Sequence, residues 1–168
     1  MAKFIIFGIV MIVIGFLFPI LKKKLEEGNK EKPDLSVYDR KKFLFDAVSE
    51  LNLYNMLVEL YGNDYRIFAQ VQYSHLIEPK KSLPWAEQRK YRSRIDKKSA
   101  DFVICHKDTV APLLVIELDG SAHNQAKVQE NDNFKNEITK VIGLPLLRLS
   151  TGNLTKEFVK SEIDKKML

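Results

Sequence analysis

The sequence contains a single cysteine and has no internal repeat or low-complexity tract. The lone thiol, Cys105, excludes an intramolecular disulfide and a structural zinc cluster, and it fits a reducing compartment. Of the 168 residues, 45% are hydrophobic and 29% are charged, which is close to the average of globular proteins. This composition excludes wholesale disorder and a polytopic membrane protein, and it leaves room for one globular domain.

Charged residues are absent from Phe4 to Leu21. At 1.5 Å per residue this stretch would reach roughly 27 Å, near the hydrocarbon thickness of about 30 Å. It lacks the small residues of a signal-peptide cleavage site, so we interpret it as a transmembrane helix. The lysines at 22–24 predict that the rest of the chain lies in the cytoplasm. The predicted organisation is therefore an inner-membrane anchor (1–24), a linker (25–40) and an α/β domain (41–168).

Lysine and arginine exceed aspartate and glutamate by 27 to 22, and the surplus is concentrated between Lys80 and Lys98. A basic segment of this kind favours an anionic partner such as the phosphate backbone of DNA or RNA. A solvated helix face and contact with anionic lipid headgroups are the alternatives. The candidate nucleic-acid-binding residues are Arg89, Lys90, Arg92, Arg94, Lys97 and Lys98.

The pattern of apolar residues predicts a mixture of helices and strands. A first helix, capped by Asp46, carries an apolar stripe of Val48, Leu51, Leu57, Leu60 and Tyr61 and stops at Gly62. The further predicted elements are strands at 66–73, 101–105, 113–119 and 146–150, and helices at 85–95, 125–142 and from about 155.

The strands at 101–105 and 113–119 predict a hairpin whose partners have residue numbers that sum to about 218. Asp101 then lies opposite Glu117, and Asp119 projects on the same side as Glu117 because side chains alternate along a strand. Three like charges at one sheet edge are destabilising, and Mg²⁺ or Mn²⁺ would relieve the repulsion. A different register, with the acids merely solvating the strand ends, is the alternative.

Two further groups lie close to these acids in the sequence. His123 follows the second strand and could act as a general base. Asp132 and Lys135 are three residues apart on a predicted helix and so share a face. They could pair with each other, or Lys135 could stabilise charge on a phosphate.

These residues together resemble a known pattern. Its segments are Asp101-Phe-Val-Ile, Val115-Ile-Glu-Leu-Asp-Gly-Ser-Ala-His123, Asp132-x-x-Lys135 and Gly143-Leu-Pro-Leu-Leu-Arg148. From about Tyr38 to Leu149 the chain resembles the PD-(D/E)XK nuclease superfamily. Within it the chain is similar to a bacterial family known only as a domain of unknown function, and more distantly to the very-short-patch repair endonucleases.

The resemblance implies a restriction-endonuclease-like central mixed sheet flanked by helices and a Mg²⁺- or Mn²⁺-dependent endonuclease. It makes Asp101 and Glu117 the metal ligands, Glu50 a helix acid and His123 the residue that activates water. The lysine that usually follows the second acid is Asp119 here, so its role would pass to Lys98 or Lys135, or be lost in an inactive domain that binds nucleic acid. The candidate catalytic residues are therefore Asp101, Glu117, Asp119, His123, Lys98, Lys135 and Glu50.

Overall fold

The computed structural model describes residues 15–23, 34–120 and 126–167, with only the backbone given for 126–132. The chain divides into two units between Lys42 and Phe43. In the first unit, residues 15–23 are helical and Leu35–Val37 forms a 3-10 turn. The Asp34 carboxylate caps this turn by accepting a hydrogen bond from the backbone N–H of Ser36 at 2.9 Å.

The predicted anchor, Phe4 to Leu21, lies mainly outside the described residues, which begin at 15. Within the ranges that are described, no helix combines the length and the apolar character needed to cross a membrane. The described part of the segment exposes large apolar side chains, among them Phe16 at 75% and Phe18 at 66%.

The second unit is built on a four-stranded sheet. Its strands are β1 (Tyr65–Gln72), β2 (Ser99–His106), β3 (Pro112–Asp119) and β4 (Leu146–Ser150). They lie in the order β1-β2-β3-β4, with the first two pairings antiparallel and the β3-β4 pairing parallel. The sheet is therefore mixed, as predicted.

In the described part of the second unit, four α-helices accompany the strands. They are α1 (Val48–Tyr61), α2 (Trp85–Ile95), α3 (Ala126–Val141) and α4 (Lys156–Met167). Short 3-10 turns occur at Tyr73–His75 and Thr151–Asn153. The elements agree with the predicted ones to within about two residues at most ends, so the mixed α/β architecture with helices beside the sheet is confirmed.

The start of α1 corrects the sequence prediction. Ala47, not Asp46, precedes the first helical residue. Glu50 supplies the capping contact instead, since its Oε2 accepts hydrogen bonds from the backbone N–H groups of Asp46 at 3.1 Å and Ala47 at 3.4 Å. Gly62 does end the helix, and its N–H bonds to the carbonyl of Val58 at 2.9 Å.

The buried face of α1 agrees with the prediction only in part. Leu53, Leu57 and Tyr61 are buried, whereas Val48 is 74% exposed and Leu51 is 45% exposed. Positions 53, 57 and 61 are spaced by four residues and form one ridge that packs on the sheet. Of the predicted stripe, Leu57 and Tyr61 are buried and Leu60 is partly buried. Val48 and Leu51 are apolar residues on the exposed side of the helix.

The sheet separates two hydrophobic layers. One layer joins α1 and α4 to one sheet face through Leu53, Leu57, Phe102, Ile104, Leu114, Ile116, Val159 and Ile163. The other layer joins Ile95 of α2 and partly buried residues of α3 to the opposite face through Tyr73, Val103, Cys105, Val115 and Leu144. Burial on both faces explains why β2 and β3 read as nearly continuous apolar runs.

The β2-β3 register is the one predicted. The pairs Phe102 with Ile116, Val103 with Val115, and Ile104 with Leu114 all have residue numbers that sum to 218. A shift occurs beyond Ile104, where Cys105 pairs with Pro112. The irregularity lies toward the hairpin loop, away from the acidic ends of both strands.

Candidate active site

Asp101 and Glu117 lie next to each other on the central strands. The last β2-β3 pair at this end of the strands is Phe102 with Ile116, and one further step at the same sum of 218 places Asp101 opposite Glu117. The two strands are also joined by a side chain, because the backbone N–H of Leu118 donates to Asp101 Oδ2 at 2.8 Å. The alternation of side chains directs both carboxylates to the face that carries Val103 and Val115.

Glu117 is 5% exposed and both of its carboxylate oxygens accept hydrogen bonds. The hydroxyl of Tyr73 donates to Oε1 at 3.1 Å, and the ammonium of Lys135 donates to Oε2 at 2.7 Å. Lys135 Nζ also donates to the carbonyl of Ser99 at 2.9 Å and lies 5.5 Å from the centre of the Tyr73 ring. The result is a buried cluster of one carboxylate, one ammonium and one phenol.

Burial raises the pKa of both acids above the usual value. For Glu117, the adjacent Lys135 ammonium opposes this rise, and the negative charge of Asp101 adds to it. For Asp101, the Leu118 N–H and the Lys135 charge lower the pKa, while Glu50 and Asp119 raise it. Titratable groups with perturbed pKa values that cluster on one sheet face are typical of functional sites.

Asp119, the third predicted carboxylate, has a cation of its own. Its Oδ1 accepts a hydrogen bond from the guanidinium of Arg148 at 2.9 Å, and Arg148 Nε donates to Asn136 Oδ1 at 3.1 Å. Among the residues that the structure describes, no three His, Cys, Asp or Glu side chains are grouped so that they could hold a metal ion. The predicted crowding of three carboxylates is thus relieved, in this structure, by Lys135 and Arg148.

Glu50 belongs to the surroundings of the site. Its charge raises the pKa of Asp101, which indicates that the start of α1 approaches the acidic pair. Its Oε2 is engaged by the backbone N–H groups at the beginning of α1. The contacts of Glu50 therefore describe a helix-capping role beside the site.

Of the two lysines that were candidates for the displaced position, the structure brings Lys135 to the acids. The Nζ of Lys98 lies 5.2 Å from the centre of the Phe134 ring, on α3. His123 lies in the segment 121–125, outside the described residues, and the side chain of Asp132 is likewise outside them.

The basic helix α2 packs on the same face of the sheet that carries Asp101 and Glu117. Ile95 at the end of α2 is 5% exposed and packs in the layer that contains Val103 and Val115. The predicted nucleic-acid-binding residues Arg89, Lys90, Arg92, Arg94 and Lys97 are exposed, and Lys98 is partly buried. Arg92 is paired with Asp96 at 3.7 Å, a distance and exposure that make the pair weak.

The sequence prediction missed Tyr73 and Arg148 as members of the site. The sequence pattern predicts Tyr73 as the last residue of a strand, but it begins a 3-10 turn after β1 and is 0% exposed. Arg148 reaches the site because parallel pairing sets it beside Glu117. Two features of the sequence point to Arg148: it stands between two leucines in β4, and it ends the segment Gly143-Leu-Pro-Leu-Leu-Arg148 of the resemblance.

A family model described as "Protein of unknown function (DUF2726)" matches residues 41–167 of the chain. No curated protein and no solved structure matches the chain. The matched range begins just before α1 and ends with α4, so it contains the whole sheet and all of the acids discussed above.

Proposed function

The chain belongs to the DUF2726 family of proteins of unknown function, and from that premise we propose that residues 41–168 form a metal-dependent nuclease domain of the PD-(D/E)XK type. The observation that carries the proposal is the buried Glu117-Lys135 pair at 2.7 Å beside Asp101. Two acids and a lysine on one sheet face are the groups that phosphodiester hydrolysis needs. We also propose that the domain is distantly related to the very-short-patch repair endonucleases.

The position of Lys135 is the main reason to assign a nuclease site here and not an ion pair that only stabilises the fold. Asp119 stands where the superfamily pattern has a lysine, and a domain that had lost the function would need no substitute there. Lys135 nevertheless extends from α3 to the second acid and is 15% exposed in its side chain. Holding a lysine in so buried a position is costly unless the charge is paired, as it is here.

The acids fit a hard divalent cation such as Mg²⁺ or Mn²⁺. Asp101 and Glu117 are oxygen donors on adjacent strands, and Mg²⁺ is commonly held by one or two carboxylates together with waters and phosphate oxygens. Their raised pKa values reflect burial of negative charge, which a cation would relieve. When bound, the ion would supply water activation and charge neutralisation at the phosphate.

The chain's own residues then have distinct tasks. Asp101 and Glu117 would hold the cation, and Tyr73 would fix the orientation of Glu117 through Oε1. Lys135 would carry positive charge to the scissile phosphate, and His123 would accept the proton of the attacking water. The cations of α2 would hold the phosphate backbone of the nucleic acid.

The proposed location is the cytoplasmic face of the inner membrane, with the segment 1–24 as anchor. The described part of this segment exposes Phe16, Phe18 and Ile20, which is unfavourable in water and favourable in lipid. Substrates would then be nucleic acids that reach the membrane.

The test is cleavage of plasmid DNA and of RNA by the full chain in mild detergent with Mg²⁺ or Mn²⁺. Glu117→Gln should lower the cleavage rate by roughly 100-fold or more, since loss of an outer-shell partner alone costs about 10- to 100-fold. Glu59→Gln is the matched control, because Glu59 is an exposed acid of α1 that pairs with Lys156. Equal cleavage by the two variants would refute the assignment.

A second candidate is a domain of the same fold that binds nucleic acid without cutting it. The engagement of both Glu117 oxygens by Tyr73 and Lys135 favours this reading. In that case metal and Glu117 would be dispensable, and affinity would fall steeply with added salt. Binding to anionic lipid instead of nucleic acid would appear as flotation with acidic vesicles in the absence of nucleic acid.

A further inference from the structure

Apart from the acidic site, α2 borders a small cleft that combines an aromatic ring with several cations. The cleft has a volume of about 260 Å³. Trp85, Arg89 and Arg92 line it from the helix, and Lys81 lines it from the preceding loop. Glu78 adds one carboxylate, so three cations face a single anion. This balance suits an anionic ligand that also has an apolar, planar part.

The local sequence explains how the cleft is formed. Trp85, Arg89 and Arg92 are spaced by four and three residues, so they occupy one face of α2. Gln88 fixes the loop against this helix, because its Nε2 donates to the carbonyl of Leu83 at 2.7 Å and to that of Lys81 at 3.3 Å. The loop and the helix are thereby held as two walls of one recess.

Trp85 is the sole tryptophan of the chain, and it is 72% exposed. Large aromatic side chains are usually buried, and an exposed one beside cations is typical of a binding surface. The Arg89 guanidinium lies 5.5 Å from the centre of the indole ring, a cation-π contact that orients both groups. The ring is thus held in place while most of its surface is open to a ligand.

We propose that this cleft binds an unpaired nucleotide of single-stranded nucleic acid. The base stacks on Trp85, and the neighbouring phosphates contact Arg89 and Arg92. This inference rests on the proposed function for the identity of the ligand as nucleic acid, and it adds the class of substrate. In a duplex the bases are already stacked on each other, so a duplex could use the cations but not the indole.

The fluorescence of Trp85 provides the test, because no other tryptophan contributes to it. The full chain, in mild detergent with a chelator to prevent cleavage, is titrated with a single-stranded DNA oligonucleotide and with the duplex of the same sequence. We expect quenching by the single strand and little change with the duplex at equal phosphate concentration. Equal quenching by both, or by neither, would overturn the inference.

Variants separate stacking from charge. Trp85→Ala should weaken binding of a dye-labelled single strand by roughly 5- to 150-fold, the effect of losing one base-aromatic stack. Trp85→Tyr should retain most of the affinity because it retains an aromatic ring. Since Trp85 is an exposed residue, neither change should alter the helical circular dichroism.

Arg89→Gln and Arg94→Gln form a matched pair, because each removes one positive charge from α2. Arg94 lies over the Tyr91 ring at 5.5 Å and is not among the residues that line the cleft. Arg89→Gln should therefore weaken single-strand binding several-fold more than Arg94→Gln. Equal losses would mean that the helix acts through its net charge alone, and the cleft would lose its assigned role.

Two other outcomes are informative. A blue shift of Trp85 emission with phosphatidylglycerol vesicles, without quenching by the oligonucleotide, would assign the surface to lipid and overturn the inference. Cleavage and quenching are measured separately, so the two proposals fail separately. Cleavage without quenching would refute the cleft alone, and quenching without cleavage would refute the nuclease alone.

Discussion

Replacing Lys135 by methionine should destabilise the domain more than the loss of any exposed ion pair. The Lys135-Glu117 pair is 2.7 Å long, and the two side chains are 15% and 6% exposed. At an effective dielectric constant of about 20, two unit charges at this distance attract by about 6 kcal/mol. Desolvation offsets part of this, and breaking such a buried pair costs about 3 to 5 kcal/mol.

The loss should depend on pH in a definite direction. The Lys135 charge lowers the pKa of Glu117, so its removal raises that pKa further above the usual value of 4.5. The folded variant then binds more protons than the folded parent as the pH rises above 4.5, and the stability difference between them grows with pH. Each pH unit over which Glu117 is protonated in the variant but ionised in the parent adds about 1.4 kcal/mol.

Urea unfolding of the full chain in mild detergent, followed by circular dichroism between pH 4 and pH 8, measures this difference. Lys165→Met is the matched control, because Lys165 pairs with Glu162 on the exposed face of α4 and should lose less than about 1 kcal/mol. Adding Glu117→Gln to Lys135→Met should restore part of the stability by removing the uncompensated charge. A loss that is independent of pH, or one no larger than that of the control, would refute the reasoning.

Two further predictions concern the support of Glu117 and the anchor. Tyr73→Phe leaves Glu117 Oε1 without its hydroxyl donor, so the free energy of unfolding should fall by about 1 to 3 kcal/mol and the pKa of Glu117 should rise. Urea unfolding measures the first effect and carbon-detected NMR titration measures the second. An unchanged pKa of Glu117 would contradict the assigned role of Tyr73. The full chain should float with lipid vesicles and a variant that lacks residues 1–24 should not, whereas flotation of both would assign membrane binding to the domain.

The hairpin could be predicted from the sequence because two strong constraints agree there. The apolar runs of β2 and β3 are short and are separated by a turn near Thr109, so few registers are open to them. The observed sum of 218 at three consecutive pairs follows from these constraints. The position of Asp101 opposite Glu117 therefore follows from the sequence alone.

The cations around the acids were harder to predict because they depend on how distant elements pack. Choosing between Lys98 and Lys135 requires the rotation of α3 against the sheet, which periodicity alone leaves open. Arg148 depends on β4 pairing in parallel with β3, a contact made across the whole of α3. Tyr73 lies just past β1, where the chain leaves the sheet and forms a 3-10 turn. The alternation of residues along β1 does not predict this turn.

These cations change the argument for a metal. Repulsion among three carboxylates required some positive charge at this edge, and Lys135 and Arg148 supply it for Glu117 and Asp119. Repulsion alone thus no longer calls for an ion. Asp101 remains, with its pKa raised by burial and by the charges of Glu50 and Asp119. The Leu118 N–H and the Lys135 charge offset only part of this rise. A divalent cation entering beside Asp101 would therefore gain from a buried charge that is only partly compensated, while it would compete with the Lys135 ammonium for Glu117 Oε2.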